Sequence, residues 1–341
     1  MALPVYRPTV KRKDMGSVLS CIVSDKIGPG EISRELASHV AHMLGHAGGV
    51  TLANAYLALS VALEALGLSR DDPVILPALA PALWLRVLQD RGLVPLVADV
   101  EPASGAIDPQ QVALLAQKGA RAILVPHTLG LIVDIDALKV HGIPVLEDAS
   151  QAFGGKAGEL LCGSSSDLCL LSLEPESIIT CGGGALVVAR TRQVASSLRR
   201  MQESSPLYSP LADMNAALGI AQLAALESFV AARREIAGVF AQALLKSRHK
   251  PLIQGMDADN VLSSFPVALA DGMKEVRQYA LKKNVDTAPA FAGSIAALED
   301  SPAAHCGNAR SLALRCLLFP LYPMLGKRDV EGVCRVLSTL P

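Results

Sequence analysis

The sequence predicts an α/β fold with a mainly parallel sheet, followed by a small C-terminal α+β domain. Short apolar stretches alternate with amphipathic stretches at helical spacing between residues 73 and 148, which is typical of a parallel sheet covered by helices on both faces. The chain of 341 residues is long enough for one large and one small domain. Because the alternation stops in the second half, we place the large domain at residues 1–240, with an N-terminal arm over residues 1–30, and the small domain at residues 241–341.

Two features precede the alternating region. Gly28-Pro29-Gly30 predicts a turn, and residues 31–45 then carry Ile, Leu, Val and Met at helical spacing. A second helix should begin after Asn54, a favourable N-cap residue, and end at Gly67.

The alternating region should form the centre of the sheet. Asp108 and Pro109 are typical of an N-cap and a first helical position. Ligands bind beyond the carboxyl ends of the strands in such sheets, so His127 and the pair Glu147-Asp148 are candidate site residues. The predicted strands are 73–77, 94–100, 121–127 and 143–148, and the predicted helices are 81–92, 108–119 and 134–142.

The second half has a different character. A polar, irregular stretch over residues 197–213 leads into one long helical pattern over residues 215–245. The last 90 or so residues then mix a strand-like stretch at 263–269 with helical stretches at 274–284 and 328–340, which indicates α+β structure.

Composition excludes several classes of function. A net charge of −1 and an aromatic content of 4% give neither a basic surface nor stacking platforms for nucleic acid. No apolar run reaches the roughly 18–20 residues that cross a bilayer, and Met1 leads into no signal-like segment. The seven cysteines form no CxxC pair, so we expect no metal site, no disulfide framework and a reducing cytoplasm.

Several stretches together carry a resemblance to a known family. The chain resembles the sugar aminotransferases of the DegT/DnrJ/EryC1/StrS family from end to end, with its landmarks in order. This resemblance implies a fold-type I aminotransferase, a three-layer sandwich, a homodimer and the cofactor pyridoxal phosphate (PLP). The stretches that carry it are "IGPGEISRELASHVAHMLG", "VPHTLGLIVDIDAL", "IPVLEDASQAFGGKAGELLCGSSSDLCLLSLEPESIITCGGGALVV", "AALGIAQL" and "LLFPLYPML".

The resemblance assigns part of a cofactor site. Asp148 falls on the aspartate that pairs with the pyridine nitrogen, Gln151 on a glutamine near the ring, and Ser172 on a serine at the phosphate side. The family's Ser-Gly-Thr phosphate cup at a helix start falls on Asn54-Ala55-Tyr56, where we expect the Tyr56 phenol to fill the space that phosphate oxygens would approach.

Other family positions have changed. Ser177 stands at the position of the lysine that forms the Schiff base, and a hydroxyl can neither form an imine nor shuttle the amine's proton. Pro81 replaces the aromatic residue that stacks on the ring, and Tyr208 and Pro210 replace the N-x-R motif that reaches the partner subunit. We do not expect Lys139 on its helix or Lys156 in its loop to substitute for the lysine.

Three features have alternative interpretations. Asp148 either pairs with a pyridinium nitrogen or accepts hydrogen bonds from backbone N–H groups. His127 either lines the pocket or is satisfied by local hydrogen bonds, and Gly182–Gly184 either cradles a phosphate or forms a turn. Trp84 is expected in the core.

Two functions are therefore in competition. The first is a degenerate family member, a pseudoenzyme, that cannot form the PLP–lysine aldimine and has a binding, regulatory or partner role in nucleotide-sugar or polysaccharide metabolism. The second is a sugar aminotransferase or dehydratase relative that binds PLP or pyridoxamine phosphate (PMP) non-covalently. We name no catalytic residue with Ser177 at the lysine position, and a nucleotide sugar is a candidate ligand.

Overall fold

The computed structural model describes residues 2–252 and 260–341, and its elements follow the predicted alternation closely. The strands are β1 (Gly48–Leu52), β2 (Pro73–Pro77), β3 (Val94–Ala98), β4 (Ala122–Pro126), β5 (Val145–Asp148), β6 (Lys156–Ala157), β7 (Leu160–Leu161), β8 (Leu168–Ser172), β9 (Ala185–Ala189), β10 (Lys250–Pro251), β11 (Phe265–Ala268), β12 (Ala288–Pro289) and β13 (Cys316–Phe319). The helices are α1 (Met15–Val23), α2 (Glu31–Met43), α3 (Ala55–Ala65), α4 (Ala82–Asp90), α5 (Pro109–Ala116), α6 (Ile135–Lys139), α7 (Arg192–Ser204), α8 (Asp213–Leu223), α9 (Leu226–Leu244), α10 (Met273–Lys282), α11 (Gly307–Arg315) and α12 (Lys327–Ser338).

The large sheet has seven strands in the order β1-β9-β8-β5-β4-β2-β3. The pairs β2–β3, β2–β4, β4–β5 and β5–β8 are parallel, whereas β9 runs antiparallel to both of its neighbours. The carboxyl ends of β4, β5 and β8 therefore meet at one edge of the sheet. The prediction of a mainly parallel sheet is confirmed.

Helices cover both faces of this sheet. Leu124 and Leu146 pack on one face in the same cluster as residues of α3 and α4, whereas Ile123 and Val145 face α5 and α6 on the other. Each fully buried Leu, Ile or Val side chain contributes about 1.5–3 kcal/mol relative to exposure. A sheet that is buried on both faces requires nearly continuous apolar strands, which is why β4 reads "AILVP".

A second sheet forms in the C-terminal part, with strand order β10-β11-β13-β12 and every pair antiparallel. Its core includes Phe240 of α9 and Phe265 of β11, whose ring centroids lie 5.5 Å apart in an edge-to-face arrangement. The α+β character predicted for this region is confirmed, while the boundary at residue 240, which falls within α9, stays a prediction.

The helical pattern over residues 215–245 is not one helix, as the sequence predicted, but two helices bent by 59°. The break follows Leu223, where the Ala225 N–H bonds to the Gln222 carbonyl instead of continuing the α-helical pattern. Tertiary packing accounts for the bend, because α8 packs against α1 and α2 while α9 packs against α12. Among the described residues, no single helix has both the length and the apolar character of a membrane span; the bent pair meets both criteria only when its halves are joined.

The N-terminal arm contacts the rest of the molecule at several points. The Leu3 N–H donates to the carbonyl of Asn284 at 2.8 Å. The amide of Gln222, buried on α8, donates to the Thr9 carbonyl at 2.8 Å and to the Asp14 carboxylate at 3.0 Å. These contacts fix the start of the chain on the rest of the molecule, and α1 follows directly.

Candidate cofactor cavity

A cavity of about 620 Å³ opens at the carboxyl ends of β4, β5 and β8. The residues assigned to the cofactor site from the sequence line it, as do His127 and Ser177, whereas Glu147 and Gly182–Gly184 do not. They are joined there by residues from the N-terminal arm, from α4 and from the C-terminal half of the chain. The polar and aromatic lining residues are Tyr6, Asn54, Tyr56, Trp84, His127, Thr128, Asp148, Ser150, Gln151, Ser172, Glu174, Glu176, Ser177, Ser263, Phe291 and Ser294.

Asp148 ends β5 at the floor of this cavity. Its Oδ1 accepts hydrogen bonds from the Ser150 N–H at 2.9 Å and from the Ser150 hydroxyl, which in turn accepts from the Ser172 N–H at 2.7 Å. Within the described part of the chain no hydrogen bond reaches Oδ2. Burial raises the pKa of Asp148, and the two bonds from Ser150 offset only part of that effect. The carboxylate thus combines local hydrogen bonding, one of the two predicted alternatives, with an oxygen left for a ligand.

His127 lies beside this carboxylate but has no ring nitrogen left for a ligand. Its Nδ1 accepts from the Val133 N–H at 3.0 Å, so Nε2 carries the hydrogen that is donated to Oε1 of Glu147 at 2.6 Å. Burial alone would raise the pKa of Glu147, but the hydrogen bonds that its carboxylate accepts, the one from His127 foremost, outweigh it and the pKa is lowered. Both predicted interpretations of His127 hold, because it lines the cavity and both of its ring nitrogens are hydrogen-bonded locally.

Cys162 completes a buried group with these two side chains, and the three potential metal-ligand atoms lie within 4.8 Å of one another. Glu147 Oε1 already accepts from the Gly163 N–H at 2.6 Å and lies 3.6 Å from the Cys162 sulfur. Burial, with the charge of Glu147 second, raises the pKa of Cys162 well above its usual value. Hydrogen bonds account for Oε1 of Glu147 but not for its buried Oε2, which has no partner among the described residues, so the expectation of no metal site stays a prediction.

Gln151 positions the loop that follows β4. Its Oε1 accepts from the Leu129 N–H at 2.5 Å, and Leu129 adopts a positive φ of 58°. The side chain therefore holds an irregular turn against the cavity, in addition to any contact with a ligand. Gly182, Gly183 and Gly184 also have positive φ values, of 76°, 139° and 93°, in agreement with the turn that we favoured for them.

The start of α3 corresponds to the position of the family's phosphate cup. Asn54 caps the helix, as predicted, because its Oδ1 accepts from the Leu57 N–H at 2.9 Å. Tyr56 lines the cavity, but its hydroxyl donates to Asp90 on α4 at 2.8 Å, and Asp90 is not part of the lining. This hydrogen bond draws the end of the side chain towards α4, while the expectation that the phenol fills the cup stays a prediction.

Ser177 lies in the cavity wall, in a turn closed by its N–H and the Glu174 carbonyl at 3.0 Å. Over the described residues, neither lysine nor arginine contributes to the lining. Lys139 is engaged elsewhere, with its ammonium 3.0 Å from the Ser165 carbonyl, and Lys156 lies in the exposed β6–β7 hairpin. Neither is in a position to replace the missing amine.

Sequence reasoning missed four side chains of this cavity. Trp84 was expected in the core; it is buried, at 3% exposure, but it also forms part of the wall. A signal was available, because Trp84 lies three residues after Pro81, one helical turn away on the same face. Glu174 and Glu176 also had a signal that was overlooked, because they follow β8 in the same loop as Ser177, whereas Phe291 gave none.

The lining fits one end of PLP and not the other. The unbonded oxygen of Asp148 suits a protonated ring nitrogen. A phosphate ester carries nearly two negative charges at neutral pH and needs cations or free N–H donors. Here Glu174 and Glu176 add negative charge, and the Asn54 side chain occupies the Leu57 N–H, which leaves the Ala55 and Tyr56 N–H groups as the donors of the α3 start. The cavity therefore does not fit a cofactor held by a lysine imine, and the described residues supply no cation for its phosphate.

Comparison with known proteins agrees with this fold. Spr1654 of Streptococcus pneumoniae, assigned as a sugar aminotransferase and solved in PLP, apo and PMP forms, superposes with a TM-score of 0.90 at 17% identity; in its PLP form the match covers 99% of this chain and 98% of that one. DesV of S. venezuelae, solved with a ketimine intermediate, gives 0.89 at 23% identity, covering 96% and 93%.

A third solved structure is a variant of the GDP-4-keto-6-deoxymannose-3-dehydratase ColD with bound GDP-perosamine. It superposes with a TM-score of 0.88 at 17% identity, covering 98% of this chain and 99% of that one. These structural superpositions show the fold-type I aminotransferase architecture. The family model of the DegT/DnrJ/EryC1/StrS aminotransferases matches residues 8–338, and the chain therefore belongs to that family.

Proposed function

We propose that this chain is a member of the family that does not form a PLP–lysine bond and serves as a binding, regulatory or partner subunit. One observation carries the proposal: Ser177 lies in the cavity wall at the lysine position, and no described lysine lines the cavity. A serine hydroxyl forms no imine, and its pKa is far too high to shuttle a proton in place of an amine. The retained fold alone does not imply transamination.

A second candidate function is an enzyme that binds PLP or PMP without a covalent bond. The free oxygen of Asp148, supported through Ser150 and Ser172, favours it, because this carboxylate suits a pyridinium nitrogen. A dehydratase with a bound nucleotide sugar is also among the proteins that share the fold. A role in nucleotide-sugar or polysaccharide metabolism accompanies either candidate, and a nucleotide sugar is the ligand that we propose for the second.

We also propose a homodimer in the cytoplasm. Helix α1 presents apolar side chains to solvent, with Met15 and Leu19 each 61% exposed and Val23 74% exposed. Such a stripe suits an interface with a second copy. Light scattering of the L19D/V23D double variant tests it, and a monomeric wild-type protein would contradict it.

Absorbance and borohydride reduction test the main proposal. Wild-type protein mixed with PLP should show no imine chromophore, and its mass after borohydride should be that of the polypeptide alone. Ser177→Lys should restore both signals if position 177 is the lysine position. Ser69→Lys is the matched control, because Ser69 is exposed and lies outside the cavity lining.

The outcomes separate the two candidates. A reducible adduct on wild-type protein would overturn the main proposal, and peptide mapping would identify the lysine. Binding of PMP or PLP without a reducible adduct, together with turnover of a nucleotide sugar, would favour the second candidate.

A further inference from the structure

Three carboxylates line the cavity without a cation to balance them. Asp148 stands at the floor, while Glu174 and Glu176 belong to the turn that contains Ser177. In the part of the chain that the structure describes, neither glutamate makes an ion pair or a side-chain hydrogen bond. Arginine and lysine are missing from the same lining, so the wall that this chain contributes is acidic.

The placement of these groups makes the imbalance costly. Glu174 and Asp148 are partly buried, so water screens their charges incompletely. Burial raises the pKa of Glu174, and the nearby charge of Glu176 raises it further. Two like-charged neighbours in a concave site are relieved by a positive ligand and are made worse by a negative one.

The start of α3, where the family has its phosphate cup, carries no positive side chain to balance these three carboxylates. Asn54 uses its side chain to cap α3, and Tyr56 is bonded to Asp90. A dianionic phosphate would thus meet the acidic wall with only the Ala55 and Tyr56 N–H groups of the α3 start, and no described lysine or arginine, to bind it. The rest of the lining suits a small cyclic body, because Trp84 and Phe291 offer apolar faces and Ser263 offers a hydroxyl group.

We propose that this cavity binds a small cyclic ligand that carries a primary ammonium group and no phosphate, with the ammonium drawn to Glu174 and Glu176. The proposal rests on the proposed function, since a covalently held PLP would occupy the same space. The proposed ligand is positively charged, whereas the phosphate of PLP is negatively charged.

Three vitamin B6 forms with the same ring test the charge preference by calorimetry. Pyridoxine has a hydroxyl group where pyridoxamine has an amine, and PMP adds a phosphate to pyridoxamine. We expect pyridoxamine to bind about tenfold more tightly than either of the others, because partly exposed carboxylate–ammonium pairs each contribute a few-fold. Its affinity should fall as salt is added.

Variants assign the effect to the wall. The double variant E174Q/E176Q should lose about tenfold in pyridoxamine affinity and leave pyridoxine binding unchanged. Glu159→Gln, in the exposed β6–β7 hairpin, should change neither. Glucosamine and glucose form a second amine and alcohol pair, read by the fluorescence of Trp84, the single tryptophan of the chain.

Several results would overturn the proposal. The first is that PMP binds as tightly as pyridoxamine. The second is that the double variant keeps its affinity for pyridoxamine, and the third is that neither pyridoxamine nor glucosamine binds. None of these measurements involves imine formation. A borohydride-fixed PLP adduct would instead contradict the proposed function, so the two failures are distinguishable.

Discussion

The buried pair of His127 and Glu147 gives the sharpest prediction about this site. The two side chains are 0% and 2% exposed, and their Nε2 and Oε1 atoms lie 2.6 Å apart. His127→Ala would leave the Glu147 carboxylate buried, with the Gly163 N–H at 2.6 Å as its remaining close donor. Because an unpaired buried charge costs far more than an exposed one, we expect the free energy of unfolding to fall by about 3–5 kcal/mol.

Denaturant unfolding measures this loss, provided that the slope of the transition is unchanged between variants. Glu147→Gln is the informative companion, since it removes the charge but keeps an acceptor for His127 and Gly163; we expect a loss of only about 1–3 kcal/mol. Arg248→Ala is the control, because it breaks an exposed pair with Asp271 and should cost less than about 1 kcal/mol.

The pH dependence supplies an independent check. The pKa of Glu147 is lower in the folded protein than its ordinary value of 4.5, so the unfolded chain binds the proton more readily. The stability that this group contributes is therefore complete above pH 4.5 and is lost as the pH falls through the folded pKa. His127→Ala should flatten this acid limb. A loss below about 1 kcal/mol with an unchanged acid limb would refute the reasoning.

Three further predictions concern the cavity and its supports. Burial raises the pKa of Asp148, so its charged form costs stability above the folded pKa. Asp148→Asn should therefore raise the Tm at pH 7 but not in acid. A lower Tm at pH 7 would contradict this prediction. Asn54→Ala should cost about 1 kcal/mol by removing the α3 cap, whereas Asn54→Asp should be nearly neutral in denaturant unfolding. Gly130→Ala should cost more than about 2 kcal/mol, because its φ is 95° and the added methyl would collide with the Val261 carbonyl. Gly119→Ala is the control, with a similar φ of 86° and open space; equal losses would show that the collision is unimportant.

Local patterns in the sequence were enough to place the sheet and its helices. The strands at 73–77 and 143–148 and the caps at Asn54 and Asp108 were predicted to within a few residues, because apolar periodicity and capping chemistry act over neighbouring residues. The bend between α8 and α9 could not be read in this way. It contains no glycine or proline and arises from packing against helices far away in the sequence.

The same distinction between local sequence and tertiary structure applies to the candidate site. Residue identity alone establishes that Ser177 cannot form an imine, since that limit belongs to the hydroxyl group and not to its surroundings. Only the tertiary structure shows that His127 is satisfied by Glu147 and that the Tyr56 hydroxyl bonds to Asp90. It also brings Phe291, which has no local signal, into the same cavity as Asp148. Covalent chemistry is local to one side chain, whereas the charge and shape of a cavity depend on the packing of residues that are distant in the chain.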